Sequence, residues 1–205
     1  MARSMDMLVS DNLSTIVRNM ETGPKLVQKY ISNPVKRLNR KIDLRFILML
    51  QSVQPLQAYL YRHFWIRTSN NEYNLDCRFR EEYETHFTVM NYGKKLTQVM
   101  HPEFVEQFDK DYTVKWSIVH EKIRQLLIMT LLAAQLKHPE MHSDYSRAVY
   151  GVDIMIDEDN FEPKLLEFTF SPDCIRACKF YPTFYNEILE ALFLGKLSEN
   201  IDKLF

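Results

Sequence analysis

Glycine is scarce, with 4 residues in a chain of 205. So few cannot furnish a glycine-rich phosphate cradle, and the chain carries no Walker loop, no GxGxxG run and no serine nucleophile elbow. A flexible or low-complexity protein is excluded too, because 46% of residues are hydrophobic and 13% aromatic, enough to bury a core. Cysteine is equally thin: Cys77, Cys174 and Cys178 make an odd set without paired spacing. That rules out a disulfide framework and fits a reducing compartment, the cytoplasm, with Cys174 and Cys178 read as small core residues on one helical face. Neither sign of charge dominates. With 26 Lys and Arg against 27 acids, the net charge of -1 leaves no bulk polycation for nucleic acid, so a charge-guided partner must meet a local patch. Long apolar runs are missing as well. The start MARSMDMLVSDNLS does not read as a signal peptide, and IRQLLIMTLLAAQL is too short to span a bilayer and contains Arg124, so no membrane partner is expected.

What is present is an alternation of strands and helices. Apolar positions Leu8, Leu13, Ile16, Val17 and Met20 predict a surface helix over 4–20, stopped before Gly23-Pro24. A strand over 25–32 follows, then a long central strand over 42–53, apolar on both faces. Gln54-Pro55 turns it into an antiparallel neighbour over 56–68, with a loop over 69–76 and a short strand over 83–93. Pro102 opens a helix to about Tyr112, and 116–138 is the one long helix, stopped by Pro139. A hairpin of 147–157 and 163–170 and a helix from Pro182 through Phe193, ended by Gly195, complete the chain. With no repeat and no linker, 1–205 is expected to be a single α+β unit built on an antiparallel sheet flanked by helices.

The hairpin reads most like chemistry. Side chains alternate along a strand, so Asp153, Met155 and Asp157 share one side and Leu165, Glu167 and Thr169 share one side of the partner. Asp153 and Glu167 are thus expected to meet. A carboxylate set among apolar neighbours needs a cation or donors, because an unpaired one costs several kcal/mol in order of magnitude. Magnesium answers that need; so does a nearby arginine. On the central strand Lys41, Asp43 and Arg45 line one face while Ile42, Leu44 and Phe46 line the other, a pattern that a ligand or a solvated edge would each explain. Arg67, at the end of the neighbouring strand, is placed near Arg45, where two guanidiniums could clamp a triphosphate or make ordinary salt bridges. Lys36, Arg37, Arg40 and Lys41 form a basic run that suits an acidic partner or a solvated loop. His138 and His142 are separated by Pro139, which forbids the helix that would aim both at one metal.

Six segments occur in the order typical of the tubulin–tyrosine ligase-like family: QKYI at Gln28–Ile31, RKIDLR at Arg40–Arg45, WIRTS at Trp65–Ser69, HFTVMNY at His86–Tyr92, GVDIMID at Gly151–Asp157 and LLEFTFSPD at Leu165–Asp173. The chain resembles that family over nearly its whole length. The resemblance implies the C-terminal part of an ATP-grasp fold, in which a carboxylate is activated by ATP as an acyl phosphate before an amine attacks it. By position, Gln28, Lys29, Tyr30 and Ile31 resemble the strand bordering adenine, and Lys41 and Asp43 the nucleotide-contacting pair. Arg45 and Arg67 match arginines near the phosphates and the acceptor, and Asp153, Glu167 and Thr169 the magnesium residues. ATP and magnesium are the implied cofactors, and tubulin or another acidic protein tail the implied partner, acted on in the cytoplasm, in association with the cytoskeleton.

Two departures temper that expectation. The family's residue two after the glutamate is usually Asn, and here it is Thr169, whose hydroxyl reaches less far. The family's N-terminal lobe and first phosphate-binding lysine are expected to precede residue 1, so the ligase activity of this chain alone is expected to be weak or nil. The alternative is a non-catalytic module that uses the ligase scaffold to hold partners.

Overall fold

A computed structural model describes residues 8–76, 83–88 and 99–205, with Arg176 described by its backbone alone. Their centre is β2, Arg40–Val53, a strand of 14 residues with neighbours on both sides. On one side it pairs with β3 (Leu56–Tyr61) and β4 (Trp65–Thr68), on the other with β5 (Ala148–Ile156), which pairs with β6 (Pro163–Phe170). The short β1 (Lys36–Arg37) folds back on the start of β2, and β7 (Ile201–Lys203) closes the far side against β3. Every pairing is antiparallel, and among the described residues the main order is β6-β5-β2-β3-β7.

The alternation of β2 decides what covers each face. Ile42, Leu44, Phe46 and Leu48 face α3 (His101–Asp111) and α4 (Trp116–Lys137). The helix α4 meets them with Trp116, Val119, Ile123, Leu127 and Leu131, a stripe at helical spacing that keeps one side in the core. Ile47 and Met49 point the other way, into a second core with Cys174 and Ala177 around α5 (Ile175–Phe180) and Phe184 and Ile188 of α6 (Phe184–Leu189). A π turn over Glu190–Leu194 extends α6, and Gly195, at φ 65°, ends it in the left-handed conformation that glycine takes without a Cβ clash.

A hydrogen-bonded chain ties these layers together. His63, in the break between β3 and β4, lies 3.0 Å from His101, Nδ1 to Nδ1, and 3.1 Å from Asn200 Oδ1 by its Nε2. Asn200 Nδ2 in turn donates to both carboxylate oxygens of Glu187 on α6.

Several expectations need correction. Residues 25–32 join no ladder among the described residues, and Leu26 and Val27 are exposed. The strand expected over 83–93 is instead a helical turn, α2, over Tyr83–His86; residues 89–93 lie outside the described residues, as do Cys77 and 4–7 of the N-terminal helix. That helix is α1, Leu13–Asn19, capped by the Asn12 side chain on Thr15 N and followed by a 3-10 turn. The neighbour expected over 56–68 is broken at Arg62–Phe64, where Arg62 N donates to Asn200 O and Phe64 enters the core. Finally, Leu165 does not share a side with Glu167. A bulge sets Ile154 opposite Leu165 but Asp153 opposite Glu167, so one surplus residue on β6 turns Leu165 to the α4 side.

Candidate functional site

The face of β2 that carries Lys41, Asp43 and Arg45 gathers the charges of four strands. Register alone accounts for much of it: Asp43 stands opposite Arg67 on β4, Arg45 opposite Asp153 on β5, and Asp153 opposite Glu167 on β6. Cross-strand partners share a face, so these side chains form one row across the sheet.

Within the row, acids and arginines alternate. Arg67 grips Asp43 with two bonds, Nε to Oδ1 at 2.6 Å and Nη2 to Oδ2 at 2.8 Å, and its Nη2 also reaches Asp153 Oδ2 at 2.7 Å. Arg45 approaches Asp153 from the other side, Nε to Oδ1 and Nη2 to Oδ2, the latter at 2.8 Å. Thr88 adds a hydroxyl bond to Asp43 Oδ2. Burial pushes the Asp153 carboxyl up, but the bond from Arg45 and the charges of both arginines outweigh it and hold the group below the usual carboxylate range. Asp43 lies deeper. There burial prevails and its carboxyl is held above the usual range, with Arg67 pulling against it. Burial works against the charge of Arg67, yet Asp43 and Asp153 more than offset it and keep the guanidinium protonated.

Lys41 closes the end of the row. Its Nζ donates to the Tyr30 hydroxyl at 3.1 Å and to the His86 carbonyl at 3.0 Å, and lies 4.3 Å from the centre of the Tyr30 ring. Burial draws its pKa down to about 8, with Asp43 opposing. Tyr30 is held in turn by His86 Nδ1 at 2.9 Å. Of the segment expected to border adenine, then, Tyr30 and Ile31 are half-buried, while Gln28 and Lys29 are exposed.

Glu167 is exposed and accepts a bond of 3.2 Å from the Thr169 hydroxyl. Two carboxylates and a hydroxyl make an all-oxygen set of the kind that suits a hard dication, so Asp153, Glu167 and Thr169 are the residues that would hold magnesium. Among the described residues, however, no group of three or more His, Cys, Asp or Glu is gathered for a metal. The obstacle is visible at Asp153, which meets the need for a cation with the two arginines.

Two neighbours of the row escaped the sequence analysis. Gly151 lies beneath Arg45: a Cβ there would stand 2.8 Å from Arg45 Nη1, 3.0 Å from its Cδ and 3.0 Å from Pro172 Cβ. An isolated glycine within a strand is the signal that would have found it. Thr88 belongs to the HFTVMNY segment, but nothing in that segment points to Asp43.

The basic run is spent mostly within the molecule. Lys36 pairs with Glu158, Arg37 lies 3.9 Å from Glu103, Arg40 donates to the Asn70 carbonyl, and Lys41 is buried. An open depression of about 390 Å³ lined by Asn186, Leu189, Glu190, Phe193 and Leu194 includes none of the charged row. No helix among the described residues is long and apolar enough to cross a membrane.

The chain is 42% identical over 214 residues to tubulin–tyrosine ligase-like protein 12 of Mus musculus, covering 96% of this chain and 33% of the relative. The Caenorhabditis elegans protein of the same name is 40% identical over 212 residues, covering 96% and 32%. Tubulin glycylase 3F of Tetrahymena thermophila is 28% identical over 202 residues, covering 88% and 22%. The chain therefore spans about a third of the length of these two protein-12 relatives, at 33% and 32%. The family model described as the tubulin-tyrosine ligase family matches residues 1–202, and with the 42% identity along 96% of its length the chain belongs to the tubulin-tyrosine ligase family.

Proposed function

We propose that this chain is the phosphate-handling part of an ATP-dependent carboxylate–amine ligase whose acceptor is an acidic protein tail of the tubulin kind, acting in the cytoplasm at the cytoskeleton. The observation that carries the reading is the convergence of Lys41, Arg45 and Arg67 beside Asp153 and Glu167 on one sheet face. Three cations among Asp43, Asp153 and Glu167 match the needs of a magnesium-bound triphosphate: donors for the oxygens and carboxylates for the ion. Arg45 and Arg67, each about a fifth exposed, would bind and orient the phosphates and the incoming carboxylate. Lys41 would offer a charge whose pKa of about 8 keeps it protonated at neutral pH. The main chain of Gln28–Ile31 would border the base. Magnesium, when bound, neutralises the charge that develops on the transferred phosphoryl group.

The test is the melting temperature with and without Mg-ATP, because a ligand that binds only the native state must raise it by mass action. At a hundredfold excess over Kd the stabilisation is about 2.7 kcal/mol, and Glu167→Ala, which removes an exposed side chain, should abolish the shift without lowering the unliganded Tm. An equal shift in the variant, or none in the wild type at millimolar ATP, would sink the reading.

A second reading, a non-catalytic module on the ligase scaffold, is favoured by one observation: the Thr169 hydroxyl turns to Glu167, where the family's amide would reach further. Thr169→Asn in the longer protein separates the two. Turnover that rises supports a ligase limited by its metal site; ATP binding that is indifferent to magnesium supports the module.

A further inference from the structure

The charged row presents its two signs unequally to solvent. The side chains of Arg45 and Arg67 are 19% and 21% exposed, those of Asp153 and Asp43 4% and 2%. Anything that enters from water meets the guanidiniums first. Both oxygens of Asp153 are already bonded, Oδ1 to Arg45 and Oδ2 to Arg45 and Arg67. Among the described acids of the row, the exposed Glu167 is left to greet a bare dication, and one surface carboxylate holds such an ion weakly. A dication that moved inward would approach two positive charges in a half-buried setting, where like charges repel far more strongly than in water.

An anion is offered the opposite. Arg45 lies across Gly151, with Nη1 over the space that a Cβ would fill and apart from its bonds to Asp153. A phosphate bound there would draw the guanidiniums toward itself, since each extra anionic oxygen competes with Asp153 for the same donors. Asp153 would then be bare, and opposite Glu167 in register.

Resting on the nucleotide reading given above, we propose that Arg45 and Arg67 mask Asp153 from divalent cations until a polyphosphate engages them, so that the cation site forms only with or after the anion. Binding is ordered, with the anion as the key. Position 151 belongs to the device because any side chain there would crowd Arg45, whose Nη1 and Cδ lie 2.8 Å and 3.0 Å from where a Cβ would stand.

The experiment uses Mn2+ as the cation, followed by electron paramagnetic resonance, and tripolyphosphate in EDTA as the anion, followed by calorimetry, on the folded chain. Without anion, Mn2+ should bind Arg45→Gln at least tenfold more tightly than wild type, and Glu167→Ala in that background should remove the gain. Arg62→Gln deletes the same charge at the Asp202 pair and should change nothing. Tripolyphosphate should bind the wild type without metal and bind Arg45→Gln at least tenfold more weakly. Should Arg45→Gln not fold, Gly151→Ala crowds the Arg45 guanidinium against its bonds to Asp153 and should raise Mn2+ affinity in the same direction, by less because the charge and the Arg67 bond remain.

Mn2+ binding to the wild type as tight as to the unmasked variants overturns the proposal, as does an anion that will not bind without metal. The nucleotide reading fails separately. If tripolyphosphate binds and ATP does not, gating stands and that reading falls; if Mg-ATP raises the melting temperature while Mn2+ alone binds tightly, the reverse holds.

Discussion

Arg67 is answered by two acids at once, and its removal would leave Asp43 and Asp153 to share what remains. Breaking a buried pair by deleting one partner costs about 3–5 kcal/mol, because the surviving charge has lost water and gained nothing. Arg67→Met is therefore expected to destabilise the chain by about that amount in urea denaturation at pH 7, and adding Asp43→Leu should return part of it. A loss under about 1 kcal/mol would mean that solvent screens the row. At this scale the sequence was informative where alternation rules. Two residues surplus to β2 separate β3 from β4, since Leu48 faces Leu60 and Arg45 faces Trp65; an even surplus leaves the alternation in phase, so Arg67 lies on the face of Arg45, and the register sets it opposite Asp43. The arginine partner of Asp153 was one of the two answers left open. What periodicity could not convey was Thr88, which reaches Asp43 across 45 positions from outside any strand.

Elements held by long-range partners were harder to read than elements that make their own bonds. The helix α4 and the β5–β6 hairpin stand where local pattern put them, apart from the bulge that turns Leu165, since their partners lie within the segment. Residues 25–32 have strand composition, but a strand needs a neighbour, and composition does not provide one. The three-residue β7 is too short to show alternation. The His63–His101 contact, which joins the β3–β4 break to the start of α3, was equally unforeseeable and has a consequence for acid stability. Burial first, then the nearby His63 and His120, lower the His101 pKa to about 4, and burial lowers that of His63. Both rings are neutral in the fold at pH 7. As pH falls from about 6.5, the ordinary histidine value, toward 4, the unfolded chain takes up protons that the fold refuses. Stability should decline over that window, and His101→Gln should flatten the decline in denaturation midpoints measured at half-unit steps; an unchanged slope would assign the acid sensitivity elsewhere.

The molecule as a whole is a sheet between two cores, and the strength of that arrangement lies in β2, α4 and the C-terminal helices rather than at the start of the described chain. No residue of α1 is buried. Single substitutions at such surface positions are worth within about 0.5 kcal/mol, so Leu13→Ala in α1, at a residue 72% exposed, should move the Tm by less than about 2 °C. A larger fall in a thermal melt would reveal packing by that segment. The His63 chain, by contrast, binds the molecule's middle to its end, and its chemistry permits one sense only. A carboxylate only accepts, so Glu187 orients the Asn200 amide with its nitrogen inward; the amide oxygen then requires a proton on His63 Nε2, which leaves Nδ1 bare and obliges His101 to carry its proton on Nδ1. Every donor points toward α6. The tautomers of two rings are thus dictated by an acid that touches neither, and the row of dipoles is polarised like a line of compass needles, with a single carboxylate as its north.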